Sequence, residues 1–477
     1  MRTVPAALLL VGLIGIGCPP GDDTAKTDDT QPDTVDSGPS VALVDGVEWT
    51  THEEIESLVY VTFEQTQAAS VWVEFEPVGD DAWMSTPVQE LEAGAASFLL
   101  LGLPYGYDFH FRVVNDFGNG PWYSDEFTGA VPAPADSLPL VQVHSSDPDQ
   151  WEPSGKFLLT SVNAATGGWV SGDYWKVIVD RKGRTVWALK TPDHHWTTFM
   201  RVAVNGTDLL YDKFTYWANW DTGAGSTVHR IKIDGTALDS YATPGGHHAF
   251  TELPDGSLAW PSADWSTETV EILSPDGVQS TLWDCAPFHE ERGAPLGTMC
   301  QSNTITYDVP TDSFLVSFYT TSTLVQIDHQ TGETLRVMGE SMGDYAFDPD
   351  TSVFDWQHGA YWLDADTLLL STHRTDVPEE ELETVAREYH IDDDTMTLTN
   401  TWSFGEGEGL HAHTAGEATR LPNGNTLHNY GSFGRLREVT PDGVIVWDID
   451  WRIDMTEYYD RLIGRTTFIE DLYVFAP

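Results

Sequence analysis

Basic residues are scarce. The 477-residue chain carries 23 Lys and Arg against 75 Asp and Glu, a formal net charge of −52. Nucleic-acid binding by counterion release needs a dense cationic surface, so that class of partner is excluded. Cysteine is scarcer still, at three, too few for a disulfide-built scaffold or a cysteine zinc module. The apolar run at the start, Ala6 to Ile16, is too short to span a bilayer. Apolar residues are not lacking: 40% of the chain is hydrophobic, with 19 Trp, enough to bury large cores. The length points to about two domains.

Residues 1–17 carry one Arg and then the apolar run, and read as a signal peptide. The run Gly15-Ile16-Gly17-Cys18 resembles a bacterial lipobox, which implies lipidation of Cys18. The alternative is an ordinary signal peptide with an incidental Cys. Residues 18–40 then form a Pro-, Thr- and Asp-rich stretch that cannot offset its ordering entropy, and read as a flexible acidic tether. The expectation is an exported bacterial lipoprotein, anchored to a membrane through lipid and facing the periplasm or the cell surface. In such a compartment Cys285 and Cys300 are expected to form a disulfide, the alternative being two buried thiols.

Period-two alternation over residues 41–135, as in Val59-Tyr60-Val61-Thr62-Phe63 and Val71-Trp72-Val73-Glu74-Phe75, predicts a small β-sandwich. Its end, Leu103-Pro104-Tyr105-Gly106-Tyr107 through Pro121-Trp122-Tyr123-Ser124, resembles a fibronectin type III domain, which implies a corner Tyr near Tyr107. Pro132-Ala133-Pro134-Ala135 reads as a linker. Over residues 140–477 a unit of about fifty residues recurs, marked by turns such as Pro254-Asp255-Gly256, Pro275-Asp276-Gly277, Pro422-Asn423-Gly424 and Pro441-Asp442-Gly443. Asp-Gly and Asn-Gly supply the positive φ of tight hairpins. Six such units predict an all-β fold, a six-bladed β-propeller, with the Trp, Val and Leu of each third strand packed between blades.

In a propeller, polar residues at equivalent places ahead of the inner strands converge at one mouth. The candidates are His247 and His248, Gln301 to Asn303, Gln357 and His358, His373 and Arg374, and His411 and His413. Imidazole is a competent nucleophile or proton carrier near neutrality, and a guanidinium can grip two oxygens of an oxyanion. Arg201, Arg420, Arg435 and Arg437 either add to a cationic throat or form ion pairs on blade surfaces. Asp392-Asp393-Asp394 and Asp364 to Asp366 are read as solvated turns in preference to Ca²⁺ loops, and no metal or cofactor site is assigned. The aromatics from Tyr216-Trp217 to Trp220 either stack a ring substrate or pack between blades.

These stretches, with His247-His248-Ala249-Phe250 ahead of Pro254-Asp255-Gly256, Gln357-His358, Leu421-Pro422-Asn423-Gly424-Asn425 and the Arg435 to Trp447 run, resemble the arylsulfate sulfotransferases. The resemblance implies transfer of a sulfuryl group from an aryl sulfate donor to a phenol acceptor, without a nucleotide donor, through an N-sulfated histidine. It places the first family histidine at His248 (or His247), the second at His358, the sulfate-gripping Arg at Arg374 and the sulfated histidine at His411 or His413. His247, Asn303, Gln357 and His373 would assist in substrate binding. The alternative function is a non-catalytic, surface-exposed propeller that serves as a binding module.

Overall fold

In the computed structural model the described residues are 44–163, 174–191, 196–216, 222–264, 267–295, 297–451 and 462–476. The signal-peptide, lipid-anchor and tether readings, Cys18 included, lie outside them, as do Trp217 to Trp220.

Residues from Leu43 onward form one compact unit, built almost wholly of antiparallel strands. The first part is two sheets on a shared core. Val44–Thr51, Val59–Gln65 and Gly94–Leu100 make one; Ala69–Pro77 and Asp108–Asp116 centre the other. Alternate residues of Ala69–Pro77 are buried, and Val71, Val73 and Phe75 meet Val59, Val61, Phe98, Phe109 and Phe111 between the sheets. Tyr107 is exposed under the Arg184 guanidinium, whereas neighbouring Tyr105 is largely buried and donates its backbone N–H to Thr185 O. This sandwich packs directly on the larger C-terminal region: Ile55, Leu58 and Leu101 share a core with Leu159, Ile178 and Trp187, and Asp80 pairs with Lys182 and Arg184.

Among the described residues six further sheets succeed one another. Their edge strands nearest the middle are Thr467–Ile469, Met200–Val202, Thr251–Glu252, Ser302–Asp308, Asp355–Asp364 and Glu417–Arg420. Each sheet buries apolar residues against the next. Ile178 meets Leu209, Leu210 meets Trp260 and Phe314 within one cluster, Leu315 meets Leu368, and Leu369 meets Ala418. The sixth then returns to the first through Leu436 and Trp447 against Leu158 and Val177. Outer-strand tryptophans tie the seams: Trp187 donates its indole N–H to Ile233 O, Trp402 to Pro441 O, and Trp447 to Arg181 O. Trp187 and Trp447 are buried, where an indole without a partner would cost the desolvation of its N–H, so their bonds fix the seams as well as filling them. The strand Thr467–Ile469 pairs with Phe157–Asn163, and Gln142–Ser146 pairs with Ile445–Asp450, so the first and sixth sheets each join segments from opposite ends of this region.

Candidate functional site

At or just before the start of four of the inner strands the chain takes the same local conformation. His248, Gln301, Trp356 and Ala415 all have positive φ, at 57°, 49°, 48° and 60°. Residues other than Gly rarely adopt this region, and such strain gathers where backbone must be aimed at a ligand. His248, Gln301 and Ala415 line one cavity of about 200 Å³, together with Trp196, Thr198, Asn303, Tyr319, His358 and Arg465. The wall at Gly464 is tight: a Cβ there would overlap Ser161 Oγ and Thr198 O.

Two imidazoles face this cavity with different supports. His358 Nδ1 lies 2.9 Å from the Trp356 carbonyl, so that nitrogen carries the proton and Nε2 keeps the lone pair. Burial, then the Arg465 charge, then His373, hold its pKa down at about 3, so the ring is neutral near pH 7. His248 Nδ1 lies 2.7 Å from His247 Nδ1. His247 is fully enclosed, with Nε2 3.4 Å from Glu268, a separation within ion-pair range although no well-aligned hydrogen bond joins them. Glu268 in turn accepts the Ser302 N–H on both oxygens, at 3.0 and 3.1 Å. A carboxylate and two imidazoles thus run in series toward the cavity. His248 is held well below the usual imidazole range by burial, then by His247, His358 and Arg465.

Arg465 is the cation at the site. It donates to Gly416 O at 2.5 Å, Thr304 Oγ1 at 2.7 Å and Asn303 O at 3.2 Å, with Glu417 3.6 Å away. Burial lowers its pKa, with Glu417 opposing; a guanidinium so placed still keeps its charge. Arg465 is not marked by the Pro-Asn-Gly turns that flag the other candidates in the sequence. The closing strand Thr467–Ile469 has no such turn, and its only signal is Gly464-Arg465-Thr466 directly before a strand.

The other expected residues are placed differently. Arg374, expected to grip sulfate, is corrected: its guanidinium pairs with Asp376 at 3.0 Å and Glu383 at 2.8 Å and does not line the cavity. Gln357 is also corrected. Its amide donates to Ser317 Oγ, Phe318 O and Thr323 O inside the fold, so it braces strands and does not line the cavity. Asn303 lines the cavity while its amide holds Gln357 O at 2.7 Å. His373, His411 and His413 form a second group, with ring centroids 4.7 Å and 4.2 Å apart, and none of them lines the cavity. His373 Nε2 meets Ala412 O at 2.6 Å, and its ring packs on Trp356. Burial pulls His373 and His413 to about 4, with neighbouring imidazoles adding to it. The histidines are also out of strict register: His248 occupies the positive-φ position of its segment, whereas His358 lies two residues past Trp356, which occupies it in the next-but-one sheet.

Cys285 and Cys300 are joined by a disulfide directly ahead of Gln301. Among the described residues the one trio spaced for a metal is Cys285, His289 and Cys300, and its two sulfurs are spent in that bond. The Asp patches form turns and ion pairs: Asp392 accepts from Asp394 N and Thr395 N, and Asp366 and Asp393 pair with Arg336. Arg420 pairs with Glu388, and Arg435 and Arg437 with Asp448. Tyr216 is buried and packs its ring on His247.

Residues 298–452 match the family model described as arylsulfotransferase (ASST). The chain carries an arylsulfotransferase region. It supplies His358, Asn303, Tyr319 and Gly416 to the cavity; His248 and Arg465 come from outside it. No curated protein matches the chain. Among solved structures the chain is similar to a streptogramin B lyase, at 13% identity over 69% of this chain and 98% of that one, with a TM-score of 0.37. It is also similar to the hydrazine synthase of Kuenenia stuttgartiensis, at 9% identity over 57% of this chain and 74% of that one, with a TM-score of 0.36. Likenesses this slight say nothing about the chemistry of the arylsulfotransferase region.

Proposed function

We propose that this chain is an aryl sulfotransferase working in the mouth of a six-bladed propeller fused to a fibronectin type III-like sandwich. The ring of six sheets closing on itself supports the architecture. The observation that carries the chemistry is the meeting of His248, His358 and Arg465 on one cavity in a chain with an arylsulfotransferase region.

The neutral His358 Nε2 lone pair attacks the sulfur of an aryl sulfate. The N–S bond forms as the S–O bond to the ring breaks, and the electron pair leaves on the phenolate. Arg465 stabilises the oxygens of the transferring group. The leaving phenolate takes its proton from solvent, while His248, backed by His247 and Glu268, stays neutral and ready to act as base in the second half, after which it returns the acceptor's proton to solvent. In the second half the acceptor phenol gives its proton to His248, its oxygen attacks sulfur, and the N–S bond breaks to restore His358. Trp196 and Tyr319 supply flat apolar walls for the rings. His411 and His413, the positions marked by resemblance for sulfation, act in this scheme through His373 and Trp356, holding the segment that presents His358.

Release of phenol from a chromogenic aryl sulfate, accelerated by an added phenol, is the expected result. Release indifferent to acceptor indicates hydrolysis, and absence of release contradicts the proposal. A second reading, a non-catalytic binding propeller, is favoured by two observations: Arg374 is consumed by two carboxylates, and His411 and His413 stand off the cavity. It predicts aryl sulfate binding with no phenol release. We also propose export and lipidation at Cys18. The disulfide fits an oxidising compartment, and metabolic lipid labelling lost in Cys18→Ala is the expected result.

A further inference from the structure

A second cavity, of about 290 Å³, lies along the inner strands themselves and is lined by Arg201, Thr251, Thr304, Thr306, Glu417 and Arg465 among others. Arg201, half-buried at the cavity wall, differs from the buried arginines. Arg181 is met by Glu438 at 2.6 Å and Arg437 by Asp448 at 3.2 Å. Arg201 makes a single hydrogen bond, to Thr251 Oγ1 at 3.3 Å, and no carboxylate comes within ion-pair distance of it among the described residues. A guanidinium has five N–H donors, so most of those on Arg201, which lines the cavity, have no protein acceptor. A partly desolvated guanidinium on a cavity wall with no carboxylate on it is open to an anion.

The carboxylates around it are committed elsewhere. Glu417 accepts the N–H and hydroxyl of Thr466 on Oε1 and turns Oε2 toward Arg465. Glu252 is held by Arg230 and the Val204 N–H. Asp308 accepts from Thr311 and lies four residues beyond Thr304 on the strand Ser302–Asp308, roughly 13 Å along it. Thr251 accepts from Arg201 and so has its own hydroxyl proton to give. The cavity therefore offers a planar donor fork, a hydroxyl and the second cation Arg465.

We propose that this cavity binds a small tetrahedral oxyanion, sulfate or phosphate, held by Arg201, Thr251 and Arg465. It is separate from the histidine cavity, although Arg465 borders both. A planar guanidinium binds two oxygens of such an ion at once, which an ammonium cannot do.

The test uses the full-length protein and inorganic ions. Titration calorimetry with sodium sulfate and with sodium phosphate is run on the wild type, R201Q, R201K and T251V, and selenate is located by anomalous diffraction. The expected result is a selenate peak against Arg201, a Kd raised at least tenfold in R201Q, and a smaller rise in R201K and T251V. The tighter of the two ions in titration identifies the natural class. A selenate peak confined to the histidine cavity, or a Kd unchanged in R201Q, overturns the proposal. If R201Q does not fold, an unchanged Kd in both R201K and T251V overturns it equally. Nothing here depends on turnover, so this site and the sulfotransferase reading stand or fall separately.

Discussion

The two histidine groups were assembled from the same kind of sequence segment, yet they are chemically unlike. His248 and His358 face a cavity beside a guanidinium, and His358 has its tautomer fixed by the Trp356 carbonyl. His373, His411 and His413 face one another: the His373 and His411 rings meet edge to face, His411 and His413 are tilted, and His373 spends Nε2 on Ala412 O. All are held below the usual imidazole range by burial first. A lowered pKa therefore does not tell a reacting imidazole from a packed one; the surroundings of the ring do. The same contrast separates Arg465, open to the cavity, from Arg374, closed between Asp376 and Glu383.

The largest expected effect is at His358. His358→Gln should lower turnover roughly 10³-fold or more, with thermal unfolding little changed, as read by phenol release and calorimetry. Next comes the arginine pair. Arg465→Gln should cost about 10²-fold in kcat/KM, of the order seen when a preorganised oxyanion donor is removed. Arg374→Gln should leave kcat/KM nearly unchanged and cost about 1 kcal/mol of stability, because its ion pairs are partly solvated. A larger kinetic loss in Arg374→Gln than in Arg465→Gln would reverse the assignment. Smaller again is the effect of His413→Gln, expected at less than about tenfold since it acts only through neighbouring rings.

The pH response sharpens the comparison further. With His358 at about 3 and His373 and His413 at about 4, against an ordinary 6.5, none of these three imidazoles gains a proton as pH falls through 6.5. The nucleophile stays competent, and kcat/KM should be flat from about pH 8 to 5 and fall only below that. The stability contribution has the matching sign. The unfolded chain takes up protons near 6.5 that the folded state refuses, so the contribution is whole above 6.5 and is lost as pH falls toward 4 and 3. A limb in the rate profile near 6.5 would mean that the working imidazole is exposed.

The all-β character and the hairpin turns were legible because local chemistry repeats. Gly256, Gly277, Gly424 and Gly443 all take the positive φ that the Asp-Gly and Asn-Gly turns announce, and Trp187 and Trp447 sit in the seams that the outer-strand pattern implied. The site was legible only in part. His248, His358 and Asn303 could be found because they precede or open strands in repeated units. Arg374 was misread because Glu383, nine residues on, meets it only after the chain has turned back. Arg465 was missed because its strand completes the first sheet from the far end of the chain. No local repeat marks a residue whose partners lie about 160 positions away, at Asn303 and Thr304.

The central claim is that His358 Nε2 carries the sulfuryl group between donor and acceptor. The most direct test is to mix the protein with an aryl sulfate in the absence of acceptor, quench, and map the sulfate adduct by peptide mass spectrometry. An adduct on the peptide bearing His358, lost on adding a phenol and absent in His358→Gln, is the predicted result. An adduct on His411 or His413 that persists in His358→Gln would contradict it and move the reaction to the second histidine group.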